Sequence, residues 1–556
     1  MQLARGGQIW RLATRALQNA APRRAQLGGL LYRPSIVSAL CTDVPSSYFS
    51  SSAAPTYAGE LETFTNHFLA EVEEVTEATD PAKSSRVLRK LVKSGLLKFT
   101  DMRDSPEKFF MAHRLLATVG LGGFGIRFTV QFNLFAGSLV GLASDEQMAW
   151  LDDIQSKGKL GCFLLTEMQA GVLSGLIVET TADWDPATQQ FVLHTPSDKA
   201  AKNWISQGFV AECGVVIADL RVNGKSHGPH PFFIDLRDEA TGELMPGIRI
   251  EDMGTKTIAN DLDNARVWFD QVKLPKKSLL NKFADIENDA YVQVREERMR
   301  IEVIGQRLLT GRIAIAEAAL FSARVLHMKT EEYARQKMCN GLAGETTLYD
   351  MPQVRSVLDE SYRAIDKMID FTAGVEARLN ECLRAGTIPD ADLVEAIGVC
   401  KIKCIDVAIQ RVHALRLEVG SYALMHDTGF ELVDMLLTCK FAEGDSRILQ
   451  QKIARDRLKK LQKNGLAAAA RDLVVGDSTE TMAALQLARK LAPAGRDMNK
   501  LAKVMDENWR DIYALADMVC DRHITNAPKG HTFVEPIVER LCGASVAFDE
   551  DWKNKI

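Results

Sequence analysis

The sequence predicts an α+β multidomain fold: an N-terminal helical domain, a central β-barrel or sandwich domain, and a C-terminal helical bundle with additional helices after it. Three observations carry this. The chain has 556 residues, more than one hydrophobic core organises. Apolar residues recur at helical spacing up to about residue 158 and again from about Val292. Between those limits they gather in short β-branched or aromatic runs separated by turn residues.

The boundaries read as 1–55 for a leader, 56–160 for the helical domain, 161–285 for the β-domain, 286–460 for the bundle and 461–556 for a C-terminal helical region. In the first helical stretch Phe64, Phe68 and Val72 stand four residues apart, and Val87, Leu88, Leu91 and Val92 continue the stripe. Asp104, Ser105 and Pro106 mark a helix start, because proline's fixed φ suits a first turn. Leu115 to Ala143 is apolar with one charge, Arg127, but Gln131, Asn133 and six glycines interrupt it. A spanning helix needs about 20 mostly apolar residues, so this segment reads as a buried helix–loop–helix, with no membrane span.

Strands are expected around Phe191–Leu193, Val215–Ile217, Phe232–Ile234, Ile248–Ile250 and Val267–Phe269. Asn223-Gly224, between two of these runs, is a hairpin turn signal because both positions accept φ > 0. Helices follow from about Val292, then at 351–386, 390–424 and 431–460, with Met482, Leu485, Leu501 and Val504 marking further stripes.

Composition sets limits on function. Hydrophobic residues make 46% and charged residues 25%, the balance of a folded protein. The formal net charge of −5 offers no broad basic field, so nucleic acid is not an expected partner. The ten cysteines include no CxxC pair and imply reduced thiols rather than a zinc site. Cys400 and Cys404 read as core residues on one helix face. His227 and His230 lack a third ligand nearby, so no metal is expected. The first sixty residues carry Arg5, Arg11, Arg15, Arg23, Arg24 and Arg33 before the first acid, Asp43, and a serine-rich run from Ser46 to Ser52 follows. That is the pattern of a mitochondrial transit peptide, with a peroxisomal address as the alternative.

Three stretches go beyond composition. They are Gly125 to Ser138; Gly161 to Met168 with Glu179 to Pro186 and Lys202 to Gly208; and Phe441 to Asp445 with Ile448 to Gln451 and Ile453 to Arg455. In order and spacing they resemble the acyl-CoA oxidase branch of the acyl-CoA dehydrogenase superfamily, from about residue 60 to 460. The resemblance implies the same helical, β and helical-bundle order. It implies FAD as cofactor, acyl-CoA as substrate, and oxidation to the trans-2-enoyl-CoA, the first step of fatty acid β-oxidation. The acceptor would be O2 in an oxidase or electron-transferring flavoprotein in a dehydrogenase. FAD shared between subunits implies a homodimer or homotetramer.

The chemistry requires a carboxylate in a dry pocket, where burial raises its pKa toward that of a working base. It also requires an electron sink that no side chain supplies. By position Glu443 matches the family's catalytic glutamate; its other reading is a helix cap. Thr166, Glu167 and Gly171 match the flavin-contacting Thr-Glu segment, and Trp204, Ile205 and Ser206 the segment along the flavin ring. Arg335 and Gln353 match positions that reach FAD from a neighbouring subunit, and Gly420 is the surviving glycine of a flavin-side turn. Asp261 stands where the family has a glycine. The competing reading is a non-catalytic member that keeps the fold as a scaffold or assembly factor.

Overall fold

The computed structural model describes residues 54–72, 80–119, 122–171, 177–295, 297–425, 428–475, 478–495 and 497–527. The arginine-rich leader lies outside these residues, apart from its last two positions, as does Val172, which follows Gly171. By its internal contacts the chain divides into two units: Leu61–Ala454 with the segment from Ala516, and a smaller one containing Arg455–Leu515. The helical, β and bundle regions expected as separate domains share the first unit.

The helical region contains α1 (Ala54–Val72), α2 (Pro81–Ser94), α3 (Pro106–Thr118), α4 (Gly122–Thr129), α5 (Gly137–Leu142) and α6 (Trp150–Lys157). Local chemistry sets the ends of α2. The Asp80 carboxylate accepts from the Lys83 amide at 2.8 Å, Pro81 opens the first turn, and Gly95 ends the helix with φ 66°. Its buried face carries Val87, Leu88, Leu91 and Val92, as the stripe predicts. Pro106 opens α3 at the expected position. Leu115 to Ala143 runs through α3, α4 and α5, with a π-helical turn at Val130–Ala136. Phe128 is fully buried at its centre, 5.8 Å from the rings of Phe68 and Phe109 and 4.7 Å from Phe132. Among the described residues no helix is long and apolar enough to cross a membrane.

The β-region builds two sheets. Five strands run in the order β1 (Gly161–Leu164), β5 (Cys213–Val222), β2 (Thr181–Asp185), β3 (Gln190–His194) and β9 (Val272–Pro275), with β6 (Lys225–Asp235) also on β5. The second sheet orders β4 (Lys202–Ser206), β8 (Asn264–Phe269) and β7 (Ile248–Asp252). Trp184, Phe191, Val216 and Phe232 from the first sheet share one core with Ile205, Val267 and Phe269 from the second. Asn223 and Gly224, with φ of 52° and 73°, form the two-residue turn between β5 and β6. Two short hairpins, β10 (Ala284–Glu287) with β11 (Ala290–Gln293) and β12 (Met338–Gly341) with β13 (Gly344–Thr347), carry no strong alternation and were not expected.

The bundle consists of α7 (Glu297–Gln336), α8 (Pro352–Ala385), α9 (Ala391–Val399), α10 (Ile405–Glu418) and α11 (Val433–Phe441), then α12 (Ser446–Val475). A π-helical turn, Cys400–Cys404, joins α9 to α10. Cys400 and Cys404 are both buried, in line with the core reading, and all eight described cysteines are free thiols. The helix expected over 431–460 is interrupted at 442–445, between α11 and α12. In the smaller unit, α13 (Ser478–Leu491) and α14 (Met498–Glu507) follow α12, and buried Arg457 pairs with Glu480 and donates to the Thr481 hydroxyl at 3.0 Å.

One buried cation fastens the helical region to the β-region. Arg127 on α4 is fully buried. It donates to the Asp261 carbonyl at 2.9 Å, the Asp263 carboxylate at 2.8 Å and the Ser84 hydroxyl at 3.0 Å. Removing one partner of a buried ion pair leaves the other charge uncompensated, at a cost of about 3–5 kcal/mol. We predict that Arg127→Leu loses stability of this order in urea unfolding followed by tryptophan fluorescence. A midpoint unchanged from wild type would show that this junction does not hold the fold.

Candidate active site

Glu443 lies in the four-residue break between α11 and α12, and its backbone is strained. Its φ is 56°, left-handed for a residue with a Cβ, and Gly444 follows at φ 89°. Such a conformation costs on the order of 1 kcal/mol and persists only where surrounding structure enforces it. The capping role belongs to a neighbour: the Asp445 carboxylate accepts from the Arg447 amide at 2.8 Å at the start of α12. Glu443 is therefore not the helix cap.

The side chain is held against the middle of α7. A Cβ on Gly311 would stand 2.3 Å from the Glu443 carboxyl carbon and 2.5 and 2.6 Å from its two oxygens. Only glycine leaves that space. The residue as a whole is partly exposed, but its Oε2 is sealed from solvent and has no hydrogen-bond partner among the described residues. Burial pushes the carboxyl up to about 8, against the opposing pull of Arg312 and Lys401. Arg312, next to Gly311 on α7, donates through Nε to the Glu443 carbonyl at 3.0 Å. Burial lowers Arg312 to about 10 and Lys401 to about 7. The arrangement is a desolvated carboxyl with an unused acceptor, the condition a proton-abstracting base requires.

The other expected site residues fall into two groups. Thr166, just past β1, is exposed, and its carbonyl accepts from the Asn203 amide at 2.8 Å. Trp204 on β4 is 57% exposed with φ 57°, a large aromatic presented to solvent by a strained backbone. The Ser206 hydroxyl is half-buried and accepts from the Asn264 amide group at 3.1 Å. Gly171 is exposed. Two neighbours do not present side chains to a ligand. Ile205 is 2% exposed and packs in the β-core, so it can meet a cofactor only through its backbone. Glu167 is fully buried; its carboxylate holds Lys202 at 2.8 Å and accepts from the amides of Glu179 at 2.7 Å and Thr180 at 3.0 Å. It supports the Thr166 segment rather than facing outward, because a buried carboxylate needs this many donors.

Arg335, Gln353 and Gly420 form the second group, at one end of the bundle. Arg335, in the last turn of α7, pairs with Glu331 at 2.6 Å, and its guanidinium lies 3.6 Å from the Tyr349 ring centroid. Gln353, at the start of α8, donates to Glu418 at 3.0 Å, two residues before Gly420. Tyr333 on α7 stacks on Tyr422 at 3.8 Å. Gly420 itself is exposed with φ 62°. Arg335 is roughly 36 Å along α7 from Gly311, at 1.5 Å per residue. One chain therefore does not bring this group to Glu443.

The sequence reading missed Gly311, Arg312 and Lys401. Glycine and arginine side by side at 311–312, inside a helical stripe, was the available signal, since glycine in a helix interior is costly without a packing reason. Among the described residues no group of histidine, cysteine and acidic side chains is placed to hold a metal. His227 instead stacks on Tyr291 at 3.9 Å.

The raised carboxyl has a consequence for stability. With a folded pKa near 8 and an ordinary value of 4.5, the native state holds a proton that the unfolded chain releases between those limits. Stability contributed below pH 4.5 is thus lost as pH rises toward 8. Glu443→Gln removes this loss. We predict that its melting temperature exceeds that of wild type by a margin that grows from pH 5 to pH 8.5 in a thermal-shift series. A constant margin would contradict the burial of this charge.

No protein-family profile matches the chain. Peroxisomal acyl-coenzyme A oxidase 3 of Arabidopsis thaliana is 32% identical over 242 residues, 42% of this chain and 35% of that protein. Peroxisomal acyl-coenzyme A oxidase 3 of Homo sapiens is 31% identical over 243 residues, 43% of this chain and 34% of that protein. A longer match, to acyl-coenzyme A oxidase 2 of Arabidopsis thaliana, is 28% identical and covers 66% of this chain and 55% of the relative. The matches thus span between about a third and just over half of these relatives' length. Among solved structures, acyl-CoA oxidase 1 of Yarrowia lipolytica superposes with a TM-score of 0.66 at 18% identity, covering 90% of this chain and 81% of that one. Acyl-CoA oxidase-2 of Caenorhabditis elegans, bound with FAD, ascaroside-CoA and ATP, gives 0.67 at 21% identity, covering 89% and 80%. The matched sequence makes the chain similar to acyl-CoA oxidases, and the shared order of helical, β and helical-bundle regions shows the same fold; together they support the acyl-CoA oxidase branch of the acyl-CoA oxidase/dehydrogenase superfamily.

Proposed function

We propose that the chain oxidises a fatty acyl-CoA to the trans-2-enoyl-CoA, with Glu443 as the base and O2 as the final acceptor. The observation that carries this is the Glu443 carboxyl: strained, desolvated, raised to about 8, with one oxygen unpartnered. The relatives' names as acyl-CoA oxidases support the substrate class and favour oxygen over electron-transferring flavoprotein.

The residues fit a flavin. Thr166, Trp204 and Ser206 present an exposed hydroxyl, an exposed aromatic ring and a half-buried hydroxyl from neighbouring strand ends, and relatives of this fold are described as complexed with FAD. These residues would hold the ring, while Arg335, Gln353 and Gly420 of a second copy would reach the rest of the cofactor, making the working form at least a dimer. FAD, when bound, supplies the two-electron sink that takes the β-hydrogen with its electron pair. Glu443 takes the α-proton; the α C–H electron pair becomes the new C=C bond. Gly311 gives the carboxylate its place, and α7 excludes water from one side of it. Arg312 fixes the Glu443 carbonyl, and with it the peptide that carries the base. Reoxidation by O2 would yield hydrogen peroxide.

The relatives' names also place them in peroxisomes, which favours the peroxisomal alternative for this chain over the mitochondrial destination its arginine-rich leader suggests.

Anaerobic addition of acyl-CoA to the purified flavoprotein should bleach the flavin bands, and admission of air should restore them with peroxide formed. Glu443→Gln should keep its flavin and lose bleaching by at least about 10³-fold, since the positioned base itself supplies on the order of 10²–10⁴. Flavin that stays oxidised with every chain length offered, or a Gln variant that bleaches at the wild-type rate, would refute the assignment. Gly311→Ala, whose Cβ displaces the carboxylate, should retain flavin and slow bleaching by about 10²-fold, the usual cost of a base moved by an ångström.

A further inference from the structure

We propose that Lys401 is a positioning residue for the base, holding the strained loop of Glu443 by tying together the two helix ends that flank it; this rests on the reading of Glu443 as the base. Lys401 is fully buried. Its ammonium group donates to the Lys440 carbonyl, in the last turn of α11, and to the Ser446 hydroxyl at 3.0 Å, at the first residue of α12. The Ser446 hydroxyl in turn donates to the same Lys440 carbonyl at 3.2 Å. These three groups form a closed knot, and the residues between its ends are the break that carries Glu443.

The sequence offers a reason for a lysine here. A helix leaves its last carbonyls without partners, and a cation at that end satisfies them and meets the negative end of the helix dipole. Lys401 reaches that position because the chain between α9 and α10 winds as a π-helical turn at Cys400–Cys404, a local insertion that re-aims a side chain and recurs at functional sites. Burying a lone ammonium is costly, and burial lowers Lys401 to about 7. Asp445, Arg312, Cys439 and Glu443 are the charged and titratable groups that act on it. A methylene chain with no donor would fill the space without that cost, so the donor's two acceptors are the feature to explain.

On the other side of the loop, Arg312 donates to the Glu443 carbonyl at 3.0 Å. The loop is thus held at three points: both ends by Lys401 and the middle by Arg312. With Lys401 gone, the α11 and α12 ends separate and φ at Glu443 relaxes from 56° toward ordinary values.

The test uses full-length flavoprotein with Lys401→Met and Lys401→Arg. Flavin content and circular dichroism establish folding. Hydrogen–deuterium exchange of the peptide covering 438–447, without substrate, reads the loop itself, and anaerobic bleaching by a saturating acyl-CoA reads the base. Lys401→Met should exchange faster in that peptide alone. It should bleach about 10²-fold more slowly, with half-saturation changed less than about threefold, and Lys401→Arg should recover at least a tenth of the wild-type rate. Bleaching of Lys401→Met at the wild-type rate overturns the inference, as does a slow rate with loop exchange unchanged. If Lys401→Met fails to retain flavin, Ser446→Ala takes its place, with faster exchange and about tenfold slower bleaching expected and wild-type behaviour in both overturning the inference. Wild-type protein that bleaches normally while Glu443→Gln does too sinks the underlying reading instead, and the two failures are thereby told apart.

Discussion

The structure turns on the burial of one carboxyl group against a helix that has no side chain at the point of contact. Gly311 sits in the middle of the forty-residue α7, where glycine weakens the helix by about 1 kcal/mol relative to alanine. What that cost permits is an approach no other residue allows, since a Cβ there would stand 2.3 Å from the Glu443 carboxyl carbon. Close approach excludes water, and exclusion of water raises the proton affinity of the carboxyl. The strained φ at Glu443 follows from the same requirement, because the chain must turn abruptly out of α11 to place the side chain there.

A buried carboxyl of this kind destabilises the protein, so the surroundings must supply rigidity without supplying a partner that would quench it. Arg312 and Lys401 meet this condition. Both are basic groups near the carboxyl, and both donate to backbone carbonyls and a hydroxyl. The contrast with Glu167 is instructive. That carboxylate is fully buried, and it accepts from two amides and an ammonium group. Glu167 is a fastening; Glu443 is left with an acceptor to use. Two acids of the same type thus differ in how far their hydrogen-bonding capacity is satisfied.

Much of this was legible in the sequence. The helical and strand periods placed the helix at Pro352–Ala385 within a residue of its expected limits, and Asn223-Gly224 identified the hairpin. Thr166 and Trp204 are exposed. The helix expected over 431–460 ran across the break at 442–445, because apolar spacing continues on either side, although the cap reading of Glu443 already implied a helix start just after it. Nor could spacing show that Glu167 and Ile205 point inward, since a strand alternates faces and the phase depends on partners elsewhere in the sheet. The π-helical turns at Val130–Ala136 and Cys400–Cys404 were equally invisible, being single-residue insertions in otherwise regular helical patterns.

Asp261 shows how a departure from the family pattern can be absorbed. It stands where a family glycine was expected, and its carboxyl fills the space beside another glycine: a Cβ on Gly123 would lie 1.9 Å from its oxygen. Burial raises its pKa, and the Arg127 guanidinium and the Ser84 hydroxyl partly offset that cost. The same helix start meets the bundle, since a Cβ on Gly122 would stand 2.8 Å from the Met435 sulfur on α11. The glycine pair at 122–123 therefore lets α4 pack between the 254–264 loop and the helix that leads into Glu443. The Asp261 side chain thus occupies space that the glycines leave open, and this close packing joins the loop to the start of α4.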